Sequence, residues 1–349
     1  MTRLSNQTEL SKKPDTIGGQ PLDMNAPLLE VKDLSVEFRT DSGVVHATNQ
    51  LTWTLNEGET VAILGESGSG KSVSSQAVMG ILDSPPGFIT NGTAKFRGVD
   101  LLKLTDKEKR QVQGRRIAMI FQDALTALNP VYTVGWQISE MFRVHEGLSR
   151  REARERSIDL LGSVGIPSPE LRYDNYPHEF SGGMRQRAMI AMAISLDPDV
   201  LIADEPTTAL DVTVQAQVME LLASLQQRYN MGLVLITHDL GVVAGVADRL
   251  VVMYAGTAVE RAGVMDLYGN PLHPYTRGLM DSIPRADQVG GRLNPIIGQP
   301  PDLSAIPPGC PFHPRCPIAV PGKCNTERPT MRTIAEGRDV ACHFAEVNE

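Results

Sequence analysis

Two hydrophobic rhythms run along this chain, and they predict two kinds of layer. Residues 28–38 alternate apolar and polar side chains, the period of a strand with one buried face, and a turn at Asp41-Ser42-Gly43 leads to a second strand-like stretch over 44–55. These predict an antiparallel β-layer. After the turn Asn56-Glu57-Gly58-Glu59 the pattern changes to short continuous apolar runs: Val61-Ala62-Ile63-Leu64, residues 116–121, Val200-Leu201-Ile202-Ala203 and Leu233-Val234-Leu235-Ile236. Such runs between turn residues read as buried strands, and helical patterns starting at Ser72, running up to Ile194 and covering 212–229 complete a βαβ rhythm. A hairpin is expected over 92–100, a charged helix over 101–114, and a closing strand or hairpin over 251–260. Between Asn129-Pro130 and Tyr176-Pro177 the period is helical, clearest over 134–144 and 151–164, which predicts an inserted helical lobe. Beyond about Val264 the chain turns rich in Pro, Gly and Cys and becomes an appendage.

Composition narrows the class. At 349 residues, 41% of them hydrophobic, the chain holds a large core and a smaller appendage or second domain. A net charge of −8 argues against broad nucleic-acid binding. No run of 18 apolar residues is present, so no membrane span is expected. The polar stretch 1–27 has no signal-peptide core and reads as a disordered or loosely docked tail. A cytoplasmic setting follows, in which the four cysteines are thiols or metal ligands rather than disulfides.

The run 61–64 leads directly into Gly65-Glu66-Ser67-Gly68-Ser69-Gly70-Lys71-Ser72, with the spacing G-x-x-x-x-G-K-S of a phosphate-binding loop. Glycines let consecutive N–H groups point inward at phosphate oxygens, and the helix behind adds the positive end of its dipole. Lys71 is placed to reach the β- and γ-phosphates of a nucleoside triphosphate, and the Ser72 hydroxyl to ligate Mg²⁺. Other buried strands also end in polar residues, where ligands of open α/β sheets sit. Asp204 is placed to hold Mg²⁺, Glu205 to act as a general base on water, Gln122 to sense water and metal, and His238 to contact the γ-phosphate. Phe38 reads equally as an adenine-stacking aromatic and as a core strand residue.

Taken in order, these motifs resemble the ATP-binding cassette (ABC) ATPases. Phe180-Ser181-Gly182-Gly183-Met184-Arg185-Gln186-Arg187 is similar to the family's Leu-Ser-Gly-Gly-Gln signature, with Phe for Leu and Met for Gln. Phe121-Gln122-Asp123 resembles its Q-loop, Thr208-Ala209-Leu210-Asp211 the loop after the Walker B strand, and His238 its switch histidine. The resemblance implies an α/β fold: a P-loop ABC nucleotide-binding domain with mixed central sheet, antiparallel β-subdomain and helical subdomain (about 123–185), spanning 28–265, followed by a Cys/Pro-rich extension over 266–349. It implies two such domains sandwiching two ATP molecules, with Ser181, Gly182 and Gly183 of one facing the γ-phosphate held by the other. Asp211 would lie at the seam, and Phe38 falls where the family's adenine-stacking aromatic usually lies.

The appendage carries the resemblance further. Residues 270–279 and the segment Pro307-Pro308-Gly309-Cys310-Pro311-Phe312-His313-Pro314-Arg315-Cys316-Pro317 are similar to ATPase subunits of oligopeptide and dipeptide importers, with nickel importers related. The implied protein energises peptide import, oligopeptides favoured, from the cytoplasmic face of the inner membrane as a peripheral subunit. Its partners would be a second ATPase (a paralogue, forming a heterodimer), two membrane-spanning permeases and, indirectly, an extracytoplasmic peptide-binding protein, with no nucleic acid. A surface over 123–132 would receive the permeases. An ABC ATPase acting on DNA or ribosomes would show a long coiled-coil insertion or tandem cassettes, and a catalytically dead partner would lack Glu205 or Lys71. Cys310, Cys316, Cys324 and Cys342 have the spacing C-x5-C-x7-C-x17-C, which is no standard zinc ribbon. Four thiolates in a Pro-rich segment suit a 4Fe–4S cluster, and the importer resemblance favours it; zinc with His313 or His343, or free thiols, are the alternatives.

Overall fold

The continuous apolar runs become the middle of one sheet. In the computed structural model, which describes residues 13–208, 210–282 and 295–346, five strands lie parallel in the order Ile117–Ile120, Val200–Asp204, Gly232–Thr237, Thr60–Leu64, Arg249–Tyr254. Their carboxyl ends therefore point the same way, toward Gln122, Glu205, His238 and the phosphate loop. The three central strands are buried along their whole length because both faces are covered. Ala62, Leu64, Leu201, Ala203, Leu233 and Leu235 face one core, shared with the helices. Their alternates Val61, Ile63, Val200, Ile202, Val234 and Ile236 face a second core, with Trp53 and Phe96. Burying one such aliphatic side chain contributes about 1.5–3 kcal/mol, so these strands hold both layers together.

That second core is roofed by the antiparallel sheet that alternation predicts, in the order Gly43–Leu55, Leu29–Thr40, Gly87–Phe96, Val99–Asp100. The hairpin expected over 92–100 is observed with a longer first strand, which begins at Gly87. The charged helix expected over 101–114 is broken. A 3₁₀ turn over Leu101–Lys103 is followed by a helix, Asp106–Val112, that starts afresh at Thr105. The Glu108 carboxylate accepts from the Thr105 N–H and hydroxyl at 2.8 and 2.7 Å, a cap that favours a new start over a continuous helix.

Within the helical lobe, Val134–His145 and Arg150–Ser163 pack together. They share a buried hydroxyl knot in which Ser139 Oγ lies 2.8 Å from both Ser157 Oγ and the Tyr173 hydroxyl. Of the polar stretch 1–27, residues 1–12 lie outside the described residues and 13–27 are docked. Lys13 pairs with Asp199 at 3.3 Å, the Pro14 carbonyl accepts from Arg116 at 2.6 Å, and Ile17 is buried. Among the described residues no helix is long and apolar enough to cross a membrane.

The extension joins the sheet rather than standing beside it. Thr257–Gly263 pairs antiparallel with Arg249–Tyr254, then with Arg338–Val340, which pairs with Arg332–Ala335. Glu260, only 1% exposed, accepts from the Leu272 and His273 N–H groups at 2.8 Å each and lies 3.9 Å from Arg338. A buried carboxylate with two amide donors and a cation beside it is satisfied where it stands.

Candidate functional site

The turn from the strand Thr60–Leu64 into the helix Lys71–Met79 closes as the glycine spacing predicts. Gly70 caps the helix at φ 97°, and a Cβ there would stand 2.1 Å from the Ala47 carbonyl, so glycine is required both for backbone and for space. Lys71 is buried and donates to the Gly65 and Glu66 carbonyls at 2.9 and 3.1 Å. Burial pulls the Lys71 ammonium below the ordinary lysine range, and the carboxylates of Glu205, Asp204 and Glu66 oppose that shift. Ser69 Oγ is buried with no partner among the described residues, an orphaned group inside the loop that an incoming oxygen would satisfy.

Ser72 donates to Asp204 Oδ1 at 2.9 Å, joining the first helical turn to the end of the neighbouring strand system. Burial pushes the Asp204 carboxyl up; the Ser72 bond and Lys71 act against it, while Glu205 adds to it. Such a pair of oxygens, one of them anionic and half-stripped of water, suits a hard divalent cation. Glu205 follows in the left-handed region at φ 44°, where a non-glycine residue is strained, and this conformation is held by its N–H donating to the Ile236 carbonyl at 2.8 Å. Its Oε2 accepts from Gln122 Nε2 and Thr208 Oγ1, each at 3.0 Å, and His238 Nδ1 is 3.5 Å from its Oε1. Gln122, Glu205 and His238, more than a hundred positions apart at the extremes, thus meet around one carboxylate.

Other expected residues lie elsewhere. Ser181 caps the helix Gly182–Ile194, its Oγ accepting from the Met184 N–H at 3.3 Å, and Ser181 and Gly182 are exposed. None of the hydrogen bonds among the described residues joins them to the phosphate loop. Asp211 is an exposed cap of Val212–Tyr229, accepting from Val214 at 3.0 Å. Phe38 is half-buried against the core under the antiparallel sheet.

Cys310, Cys316, Cys324 and Cys342 form no disulfide with one another and line one cavity of about 20 Å³, with His273, His313 and His343 also on its walls. Burial pushes the Cys310 thiol up to about 11 and also raises Cys316 and Cys342. Among the described residues no group of three or more His, Cys, Asp or Glu is arranged to hold a metal ion. His273 is buried and its ring is held neutral by burial, down to about 3, while its Nδ1 accepts from the Tyr275 N–H at 3.0 Å.

Three contacts at the site escape sequence reasoning, although the residues that make them lie in segments already singled out. Thr208 holds Glu205, Tyr275 accepts the Glu66 N–H at 2.9 Å, and Arg315 pairs with the Glu66 carboxylate. Arg315 sits inside the Pro-rich segment that draws attention for its cysteines, and its partner is 249 positions away, a separation no local pattern reports.

Comparison with known proteins agrees with this geometry. Residues 48–208 match the family described as ABC transporter, and 259–324 match that described as oligopeptide/dipeptide transporter, C-terminal region. The chain is 50% identical over 317 residues to the dipeptide transport ATP-binding protein DppD of Escherichia coli, covering 91% of this chain and 96% of that one. It is 49% identical to the oligopeptide transport ATP-binding protein OppD of Salmonella typhimurium, over 92% and 95% of the two chains. The solved dimeric structure of the ATP-binding cassette MJ0796 in a post-hydrolysis state with ADP and Pi superposes with a TM-score of 0.61 at 25% identity, over 68% of this chain and 98% of that one. On the fold, the phosphate loop and identity of this extent, the chain belongs to the ABC transporter ATP-binding proteins of the oligopeptide/dipeptide transporter family.

Proposed function

We propose that this protein is the ATP-hydrolysing subunit of a peptide importer, oligopeptides favoured, bound peripherally to the cytoplasmic face of the membrane. The observation that carries the reading is the meeting of Gln122, Thr208 and His238 on Glu205, beside a phosphate loop whose Lys71 and Ser72 are already turned inward. The loop amides and Lys71 grip the triphosphate. Glu205, held from both oxygens, accepts a proton from the attacking water, and His238 stands at the γ-phosphate side. Mg²⁺ would be held by Ser72, Asp204 and Gln122 and would neutralise charge on the β,γ-oxygens.

The signature residues Ser181, Gly182 and Gly183 serve the ATP of a second cassette. The exposure of Ser181 and Gly182, with that of Asp211 and of Val212 (81% exposed), leaves this surface ready for a partner subunit, a paralogue in our reading. Exposed Phe121, next to Gln122, and exposed Val131 and Tyr132 in the segment that follows offer apolar footing for two permease subunits. Dipeptide cargo is the second reading, favoured by the likeness to DppD. The test is uptake of labelled dipeptides, longer peptides and Ni²⁺ in cells carrying wild-type or Lys71→Ala protein. Loss of longer-peptide uptake is expected; loss of dipeptide or Ni²⁺ uptake alone moves the cargo accordingly, and no change in any removes the importer reading.

The four cysteines are proposed to hold a 4Fe–4S cluster. What supports this reading is that all four thiols line one cavity and that their spacing is no zinc ribbon; among the described residues they are not arranged to hold a metal ion, so binding would require the segments around the cavity to rearrange. When bound, the cluster would supply cross-links between segments too short to bury a core of their own. Cys310→Ser is expected to bleach the brown absorbance and lower bound iron in anaerobically purified protein. Iron-free wild type would remove the cluster.

A further inference from the structure

The phosphate loop is gripped from outside the nucleotide-binding fold. Arg315, between Cys310 and Cys316 in the extension, donates from Nη1 and Nη2 to Glu66 Oε2 and Oε1 at 2.7 and 2.9 Å. The guanidinium is itself fixed: Nε donates to the Ile297 carbonyl at 3.2 Å and Nη1 to the Tyr254 hydroxyl at 3.4 Å. It also lies about 6 Å from the ring centres of Tyr254 and Phe312, at 5.9 and 6.0 Å. Its side chain is only 6% exposed and that of Glu66 25%, so the pair is screened little by solvent.

Glu66 is the second residue of the loop and every part of it is in use. Its N–H donates to the Tyr275 hydroxyl at 2.9 Å, its carbonyl accepts from Lys71 at 3.1 Å, and its carboxylate is taken by Arg315. A carboxylate at this position opposes a polyanion entering the loop. Two parallel bonds to a guanidinium cancel the charge and aim the side chain away from the loop's interior.

We propose that Arg315 is a positioning residue for nucleotide binding, pairing with Glu66 so that the extension, through one ion pair, sets the affinity of the phosphate loop for ATP. Removing Arg315 alone leaves the Glu66 carboxylate unpaired beside the phosphates. Removing both charges abolishes the repulsion, whereas a merely structural role would make the double variant as poor as the single.

The test is equilibrium titration of the full chain with fluorescent ATP and Mg²⁺, with melting curves run alongside. Arg315→Gln is expected to weaken ATP binding about tenfold. Glu66→Gln/Arg315→Gln is expected to recover at least threefold of that loss. Wild-type affinity in Arg315→Gln, or a double variant no tighter than the single, would overturn the proposal. Should Arg315→Gln not fold, Arg315→Lys carries the test, since it keeps a charge but loses the fork. A twofold to fivefold loss relieved by adding Glu66→Gln supports the proposal, and no loss overturns it.

Discussion

Glu205→Gln is expected to lower ATP turnover by about 10²–10⁴-fold while nucleotide still binds. The amide has the carboxylate's shape, and its oxygen still accepts from Gln122 or Thr208, each now at 3.0 Å from Oε2. What it loses is the ability to take a proton from water. The strained backbone at φ 44° is set by the Ile236 carbonyl rather than by the side chain, so the substitution leaves the loop in place. ATP then binds without being consumed, and two cassettes stay closed around it. Phosphate release, fluorescent nucleotide binding and gel filtration with ATP measure the three parts of this expectation. Hydrolysis at the wild-type rate would show that another group activates the water.

Glu260→Ala should destabilise the fold by about 3–5 kcal/mol, the cost of breaking a buried ionic arrangement from one side. The loss is specific. Two backbone amides, at Leu272 and His273, would be buried without acceptors, each at about 1–3 kcal/mol, and Arg338 would lose its anionic neighbour. Glu260→Gln retains an oxygen for one amide and should cost about half as much. Urea unfolding followed by circular dichroism reads both values; an unchanged midpoint in the alanine variant would mean that water replaces the carboxylate.

The elements legible in the sequence are those whose burial is written locally. Continuous apolar runs such as 61–64 and 233–236 become strands covered on both faces, and the phosphate loop follows from glycine spacing alone. The meeting of Gln122, Glu205 and His238 is legible only because parallel strands put their carboxyl ends together. Where the reading of 101–114 as one helix fails, the signal is present: Thr105 followed three positions later by Glu108 announces a new helix start. Other features carry no local mark. The strands Arg332–Ala335 and Arg338–Val340 are short and polar, and they exist because Thr257–Gly263 offers an unpaired edge. The Glu66–Arg315 and Glu260–Leu272 contacts join segments whose proximity only the folded sheet creates.

The pairing of Arg338–Val340 with Thr257–Gly263 decides how the chain tolerates cutting. Arg338–Val340 covers the outer edge of Thr257–Gly263, itself hydrogen-bonded to the parallel core. A chain ended near Val264 would keep every nucleotide motif yet present that strand with a row of open N–H and C=O groups. Exposed edges of this kind recruit strands from other molecules, so the shortened protein would be lost to self-association before it was lost to unfolding. In that sense the extension acts as a molecular selvedge, keeping the sheet from unravelling into its neighbours.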